Sequence, residues 1–237
     1  MITGVYRSIG LRASNEDSLA LEQVQTTSGE CVLMVVCDGI ASLDHGEIVS
    51  GYVTECMVKW FYSSAIYANP LMRHKISRSL HGTIYDAHHN LLNAASRHGL
   101  RFGTTCTMMC LWNRHYVCMH LGDSAAYRIS SAKNSGPNTL KQLTSPHVDN
   151  HKRLIRCVGS LGYYSPDISF GHLSGGDSLL IATDGFTDML STQEIAEGLY
   201  LSGNITSERI ERRLYKLGRE NERRGAKDNR SAICLYT

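Results

Sequence analysis

The order of patterns along the chain predicts an α+β fold, with antiparallel sheets and helices packed outside them. Strand-like apolar runs come in succession rather than alternating one by one with helices. Two long helical patterns stand together between the first apolar run and the next group of strands. A charged helix near the end is followed by one last apolar run.

Residues 31–37 (CVLMVVC) are apolar at every position, which predicts a strand buried on both faces. Residues 46–62 place Val49, Val53, Cys56, Met57 and Trp60 at helical spacing. Residues 71–97 carry Ile76, Leu80, Ile84, Ala87 and Leu91 at steps of 4, 4, 3 and 4, predicting a long amphipathic helix. Strand patterns return at 103–112, 115–121 and 124–129, and the cluster Asn134-Ser135-Gly136-Pro137 predicts a turn. Further strands fit 139–143 and 178–183. Residues 207–224 open with Ser207 as an N-cap and form a helix of mixed charge, a pattern expected of an exposed, salt-bridged face. The last strand is 231–236. Residues 144–167, with Pro146, Gly159, Gly162 and Pro166, read as an exposed loop region.

The chain has 237 residues and 26.3 kDa, a size at which residues 1–237 can share one core. Apolar residues make up 42% and charged residues 19%, which excludes a disordered chain. The net charge of +2 gives no electrostatic footprint for nucleic acid or an anionic membrane. No apolar run approaches the roughly 20 residues that cross a bilayer, and the first residues lack a signal pattern. The expectation is a soluble cytoplasmic protein. None of the eight cysteines forms a Cys-x-x-Cys pair, so they are expected to be reduced core thiols rather than a zinc site or a disulfide framework.

Acidic residues recur at strand ends. Asp38 closes the 31–37 run before Gly39, Asp184 closes 178–183 before Gly185, and Asp123 follows 115–121. Asp228 precedes the last strand, and Asn15-Glu16-Asp17 precedes Leu19-Ala20-Leu21. Taken singly, an Asp-Gly pair is a turn signal. Taken together, carboxylates at the ends of very apolar strands need a counter-charge. An all-oxygen site suits Mg2+ or Mn2+. Two such ions about 3.5–4 Å apart can lower the pKa of a shared water and prepare it to attack phosphorus. Arg12, four residues before Glu16, offers a guanidinium for phosphate oxygens.

These residues resemble the metal-dependent protein serine/threonine phosphatases (type 2C, or PPM), from about residue 4 to 237. The resemblance rests on Arg12-x-x-Asn15-Glu16-Asp17, Val36-Cys37-Asp38-Gly39-Ile40 with Gly46-Glu47-Ile48-Val49-Ser50, Gly103-Thr104-Thr105, Gly122-Asp123-Ser124, Leu143-Thr144-Ser145-Pro146-His147, Thr183-Asp184-Gly185-Phe186-Thr187-Asp188 and Asp228-Asn229, all in the family's order. It implies a four-layer α-β-β-α sandwich of two antiparallel sheets flanked by helices, with a two-metal centre at one end. By the same resemblance Asp38 bridges two ions, Mn2+ or Mg2+, and is catalytic. Asp184 and Asp228 complete the first ion, and the Gly39 carbonyl serves the second. Asp123 joins Asp184 at a third. Glu16 and Asp17 hold metal-bound waters or ligate directly, with Asp17 the favoured ligand. Arg12 is catalytic and binds the substrate phosphate.

The chain departs from the family pattern at four places. Ile40 stands where animal members carry a His proposed as general acid. Ala41-Ser42-Leu43 replaces Gly-Gly-His, Ala125 replaces an Arg, and Pro146 replaces an Asp. None removes an expected ligand. The flap, within 145–167, is short, which would leave the centre open and give specificity to a docked partner.

His74, His81 and His88 are seven apart, so neighbours lie about 10.5 Å from each other along a helix axis, too far to share an ion, and all three are expected on a solvated stripe. His147 and His151 are expected in a loop beside Pro146. No Gly-x-Ser-x-Gly elbow surrounds Ser124 or Thr104. The resemblance implies a monomeric signalling phosphatase acting on phosphorylated proteins, opposed to a bacterial Ser/Thr kinase and perhaps linked to type VI secretion. A catalytically weak scaffold of the same fold and a small-molecule phosphohydrolase are the alternatives.

Overall fold

The computed structural model describes residues 1–130, 139–160, 162–201 and 203–237. Among these described residues are ten strands in two five-stranded sheets. The first sheet has the order β1 (Ile2–Ser8), β10 (Arg230–Tyr236), β9 (Ser178–Ala182), β6 (Ala125–Ser130), β7 (Thr139–Gln142). The second has the order β2 (Asp17–Thr26), β3 (Gly29–Asp38), β4 (Cys106–Trp112), β5 (His115–Leu121), β8 (Asp167–His172). Every pairing is antiparallel.

Side-chain alternation separates three apolar layers. On β3, Cys31, Leu33, Val35 and Cys37 face a core shared with helices α1 (Gly46–Ser63) and α2 (Arg73–His98). Val32, Met34 and Val36 face the other way, into a core between the sheets with Ile181, Ile233 and Leu235. That is why the 31–37 run is apolar throughout. In the first sheet, Leu180, Ala182, Ala232 and Cys234 meet helices α4 (Thr192–Gly198) and α5 (Ser207–Arg223). The result is helices, sheet, sheet, helices, the four layers that the family resemblance implies. All eight cysteines are free, and seven are buried.

The long amphipathic helix is α2, and its periodic residues Ile76, Leu80, Ile84, Ala87 and Leu91 are buried. Strands β1, β2 and β8 lack a clear sequence signal because each is a sheet edge with mixed residues and half-buried faces. The strand expected from 103 begins at Cys106, because Gly103 and Thr104 leave the ladder to bond Ile40 and Val158. Helix α5 carries the expected ion pairs, Glu220 with Arg223 and Arg224, and Arg224 also reaches Glu194. The turn expected at 134–137 lies outside the described residues.

One expectation is overturned. His88 is not on a solvated stripe: it is buried, and its Nδ1 accepts the Gly159 amide at 3.1 Å. The seven-residue repeat drifts only about 40° over two steps, so what buries His88 is the segment carrying Gly159 and Tyr163 packed against that end of α2. The 144–167 region is irregular as expected, yet it is anchored. His147, Cys157 and Val158 are buried, and Val158 exchanges hydrogen bonds with Thr104.

Candidate active site

The acidic residues converge because the strands that carry them end at the same end of the sandwich. Asp17 opens β2 and Asp38 closes β3, and the two are cross-strand partners. Asp184 follows β9 and starts the short helix α3 (Asp184–Thr187), Asp123 follows β5, and Asp228 precedes β10. An open cleft of about 400 Å³ is lined by Arg12, Glu16, Asp38, Gly39, Asp123, Asp184 and Asp228. Asp17 lies behind it, fully buried.

Neutral neighbours fix the backbone that holds these acids. The Asp38 amide donates to Thr105 Oγ1 at 2.9 Å, and its carbonyl accepts from Thr104 Oγ1 at 2.9 Å and from the Thr105 amide at 2.8 Å. Thr105 Oγ1 also lies 3.0 Å from Ser124 Oγ, next to Asp123. The Gly103-Thr104-Thr105 motif is therefore a brace between two acidic sites. The Asn229 side chain accepts the Glu16 amide at 2.8 Å and donates to the carbonyls of Ile9 and Ser14 at 2.8 and 2.9 Å. It ties the loop bearing Arg12 to the start of β10. A Cβ on Gly39 would meet the Gly46 carbonyl oxygen at 2.5 Å, so only glycine lets the chain pass so close to the start of α1.

His147 grips the Asp123 turn. Its Nδ1 accepts the Gly122 amide at 3.1 Å, and its own amide donates to the Gly122 carbonyl at 2.7 Å. With Nδ1 accepting, Nε2 carries the proton and donates to Asp167 at 3.1 Å. Gly122 has φ 120°, a conformation reserved for glycine, which turns the chain sharply before Asp123. The neighbouring His120 is buried and held well toward neutrality, its pKa lowered to about 4 by burial and by His147.

The electrostatics are strained toward protonation. Burial, then the neighbours Asp17, Asp184 and Asp123, push the Asp38 carboxyl well above the carboxylate range, and it shares a hydrogen bond with Asp184. Burial raises Asp17 and Asp123 to about 6. Asp188, beside Asp184, is likewise raised to about 6. Arg12 counters part of this charge: its Nη2 lies 2.7 Å from Asp228, and that bond raises its pKa further.

The residues fit divalent cations. Asp17 receives Thr183 Oγ1 on Oδ2 at 3.0 Å, while its buried Oδ1 makes no hydrogen bond of ordinary length and has only the Ser231 hydroxyl nearby. The donors are carboxylates and one carbonyl, a set suited to hard ions. As they stand, no three His, Cys, Asp or Glu side chains among the described residues are set closely enough to cage an ion. Asp228 is turned to Arg12, and Asp38 and Asp184 are paired with each other. Sequence reasoning named the acids and Arg12 but missed Asn229, Thr183, Asp188 and His147 as parts of the site. All four left a signal: Thr183, Asp188 and Asn229 lie inside the Asp184 and Asp228 motifs, and His147 closes the Leu143–His147 motif.

A family model described as Protein phosphatase 2C matches residues 8–218. The chain belongs to that family. It is thereby a phosphatase, a hydrolase. Solved structures agree over nearly the whole length. A bacterial serine phosphatase variant is 26% identical, with a TM-score of 0.81, covering 100% of this chain and 98% of that one. The serine/threonine phosphatase Stp1 from Staphylococcus aureus is 25% identical, with a TM-score of 0.82, covering 100% and 95%. The catalytic domain of the serine/threonine protein phosphatase PstP, in complex with two manganese ions, shares the fold at 20% identity, with a TM-score of 0.76, covering 98% and 96%. No curated protein matches the phosphatase by sequence. No helix among its described residues is long and apolar enough to cross a membrane.

Proposed function

We propose that the chain hydrolyses phosphoserine and phosphothreonine in proteins at this cleft, with Mn2+ or Mg2+ ions on the acidic cluster. The observation that carries the reading is the buried Asp17 carboxyl, set directly across the ladder from Asp38, whose Oδ1 makes no hydrogen bond of ordinary length and has only the Ser231 hydroxyl nearby. Such a carboxylate oxygen among like charges is costly unless a cation completes it.

On this reading Asp38, Asp184, Asp228 and the Gly39 carbonyl hold two ions, with Asp17 as a further ligand and Glu16 holding their waters. Asp123 and Asp184 take a third, weaker one. Bound ions supply a water of lowered pKa and neutralise the phosphate charge. The chain's own residues do the rest. Arg12 grips two phosphate oxygens and orients the ester, and its contact with Asp228 keeps the guanidinium at the cleft in the meantime. Asn229 holds the Arg12 loop in place. Ile40 lines the cleft where an imidazole would otherwise stand, and His147 has both ring nitrogens engaged. On this reading neither side chain protonates the leaving alkoxide, and water supplies that proton. A PstP structure with two manganese ions supports the choice of metal. Phosphoproteins of this kind are made by Ser/Thr kinases, so an opposing kinase is the reaction class that supplies the substrate.

A phosphothreonine peptide should be hydrolysed with Mn2+ present, and the rate should fall to background with excess chelator and in Asp38→Ala. Turnover that survives both would end the proposal. Arg12→Ala should lower kcat/KM by about 10–100-fold, as expected for a lost charge-assisted contact, and Arg12→Lys should recover it only in part.

A further inference from the structure

A second groove, of about 500 Å³, opens beside the catalytic cleft, and Arg12 and Asp228 line both. Its apolar wall is Leu11, Met189 and Ala226. Leu11 is 70% exposed and Met189 43% exposed, which leaves two large apolar side chains in water within one groove. The wall is nonetheless rigidly built. The Leu11 amide donates to the Lys227 carbonyl at 2.9 Å, and the Met189 amide donates to the buried Asn221 Oδ1 at 3.0 Å. Arg224 bonds the Met189 carbonyl at 2.9 Å. Preorganised apolar surface of this kind gains by being covered, and its continuity with the cleft says by what.

We infer that this groove is a substrate subsite, which takes a bulky aliphatic side chain flanking the phosphorylated residue of a polypeptide substrate. The inference rests on the protein-phosphatase reading above and adds the sequence class of its substrate. A chain whose phosphate sits on Arg12 is carried past Leu11, the next residue along. An extended peptide advances about 3.3 Å per residue, so a residue within one or two positions of the phosphorylated one enters the groove. Leu11, Met189 and Ala226 offer an aliphatic side chain apolar contact there, alongside the charged lining residues Arg12, Asp188, Lys227 and Asp228.

The test is a panel of phosphothreonine peptides with leucine or serine at each of the four positions from −2 to +2. It is assayed with Mn2+ on the wild-type chain and on Leu11→Ser and Met189→Ser, both at exposed positions. p-Nitrophenyl phosphate, too small to span cleft and groove, reports folding and chemistry. At one position leucine should raise kcat/KM roughly tenfold over serine, through KM, and either substitution should abolish that preference while aryl phosphate turnover holds. A flat panel, or a preference untouched in both variants, overturns the subsite alone. Turnover of aryl phosphate with no peptide hydrolysed overturns the protein-phosphatase reading and the subsite with it.

Discussion

Asp17 and Asp38 are the last cross-strand pair at their end of the β2–β3 ladder, two carboxylates directly opposite each other on one sheet face. Two charges in that relation would destabilise a sheet by up to about 1 kcal/mol, and here burial and the Asp17 charge together push the Asp38 carboxyl well above the carboxylate range. The chain keeps a local penalty at the place where a cation would be held.

Asp17→Asn therefore separates stability from function. The metal-free variant should melt higher than wild type by roughly 2–4 °C, the shift expected of about 1 kcal/mol at this chain length. Its phosphopeptide turnover in Mn2+ should fall by more than about 100-fold. Thermal melts with and without Mn2+ check this: a variant that melts lower than wild type without metal would contradict the like-charge account.

The same charges set a pH dependence. Asp17 and Asp123 rise from 3.8 to about 6 on folding. Groups raised on folding bind more protons in the native state, so their stabilisation is complete below the unfolded value and is lost as pH climbs through the folded one. Without metal, stability should decline between pH 3.8 and about 6. Mn2+ should then stabilise more at pH 7.5 than at pH 5, because protons compete for the same oxygens. Melting curves over that range, with and without Mn2+, measure both slopes.

His147 is a positioning residue for the Asp123 turn through the Gly122 amide. His147→Asn places an acceptor oxygen near Nδ1 and should keep turnover within about threefold. His147→Gln keeps reach toward Asp167 but loses that acceptor, and should lose about tenfold. The amide proton shift of Gly122 by NMR should move in the Gln variant and stay near wild type in Asn. Equal behaviour of the two variants would argue for a packing role only.

Asn229→Ala removes three hydrogen bonds that hold the 9–16 loop. The expected cost is about 2 kcal/mol of stability from the backbone groups left unpaired. KM should rise more than kcat falls, because Arg12 sits on the released loop. Denaturant unfolding and steady-state kinetics with a phosphopeptide separate the two effects.

Much of this molecule was readable from residue order. The run 31–37 announced a central strand because both its faces meet apolar layers, and α2 announced itself by the spacing of Ile76 to Leu91. Arg12, Asp17, Asp38, Asp123, Asp184 and Asp228 stood out as acids and a base in a family's motif order. What the order of residues left open was everything that depends on distant parts meeting. Edge strands β1, β2 and β8 carry weak patterns because half their surface faces water. His88 is buried rather than solvated because the segment carrying Gly159 and Tyr163 packs over it. The pairing of Asp17 with Asp38, the bond from Asn229 across 213 positions to Glu16, and the Leu11–Met189 groove exist only after the sheets stack. Local patterns record which face of an element is apolar; sheet register and packing alone determine which charges are forced together.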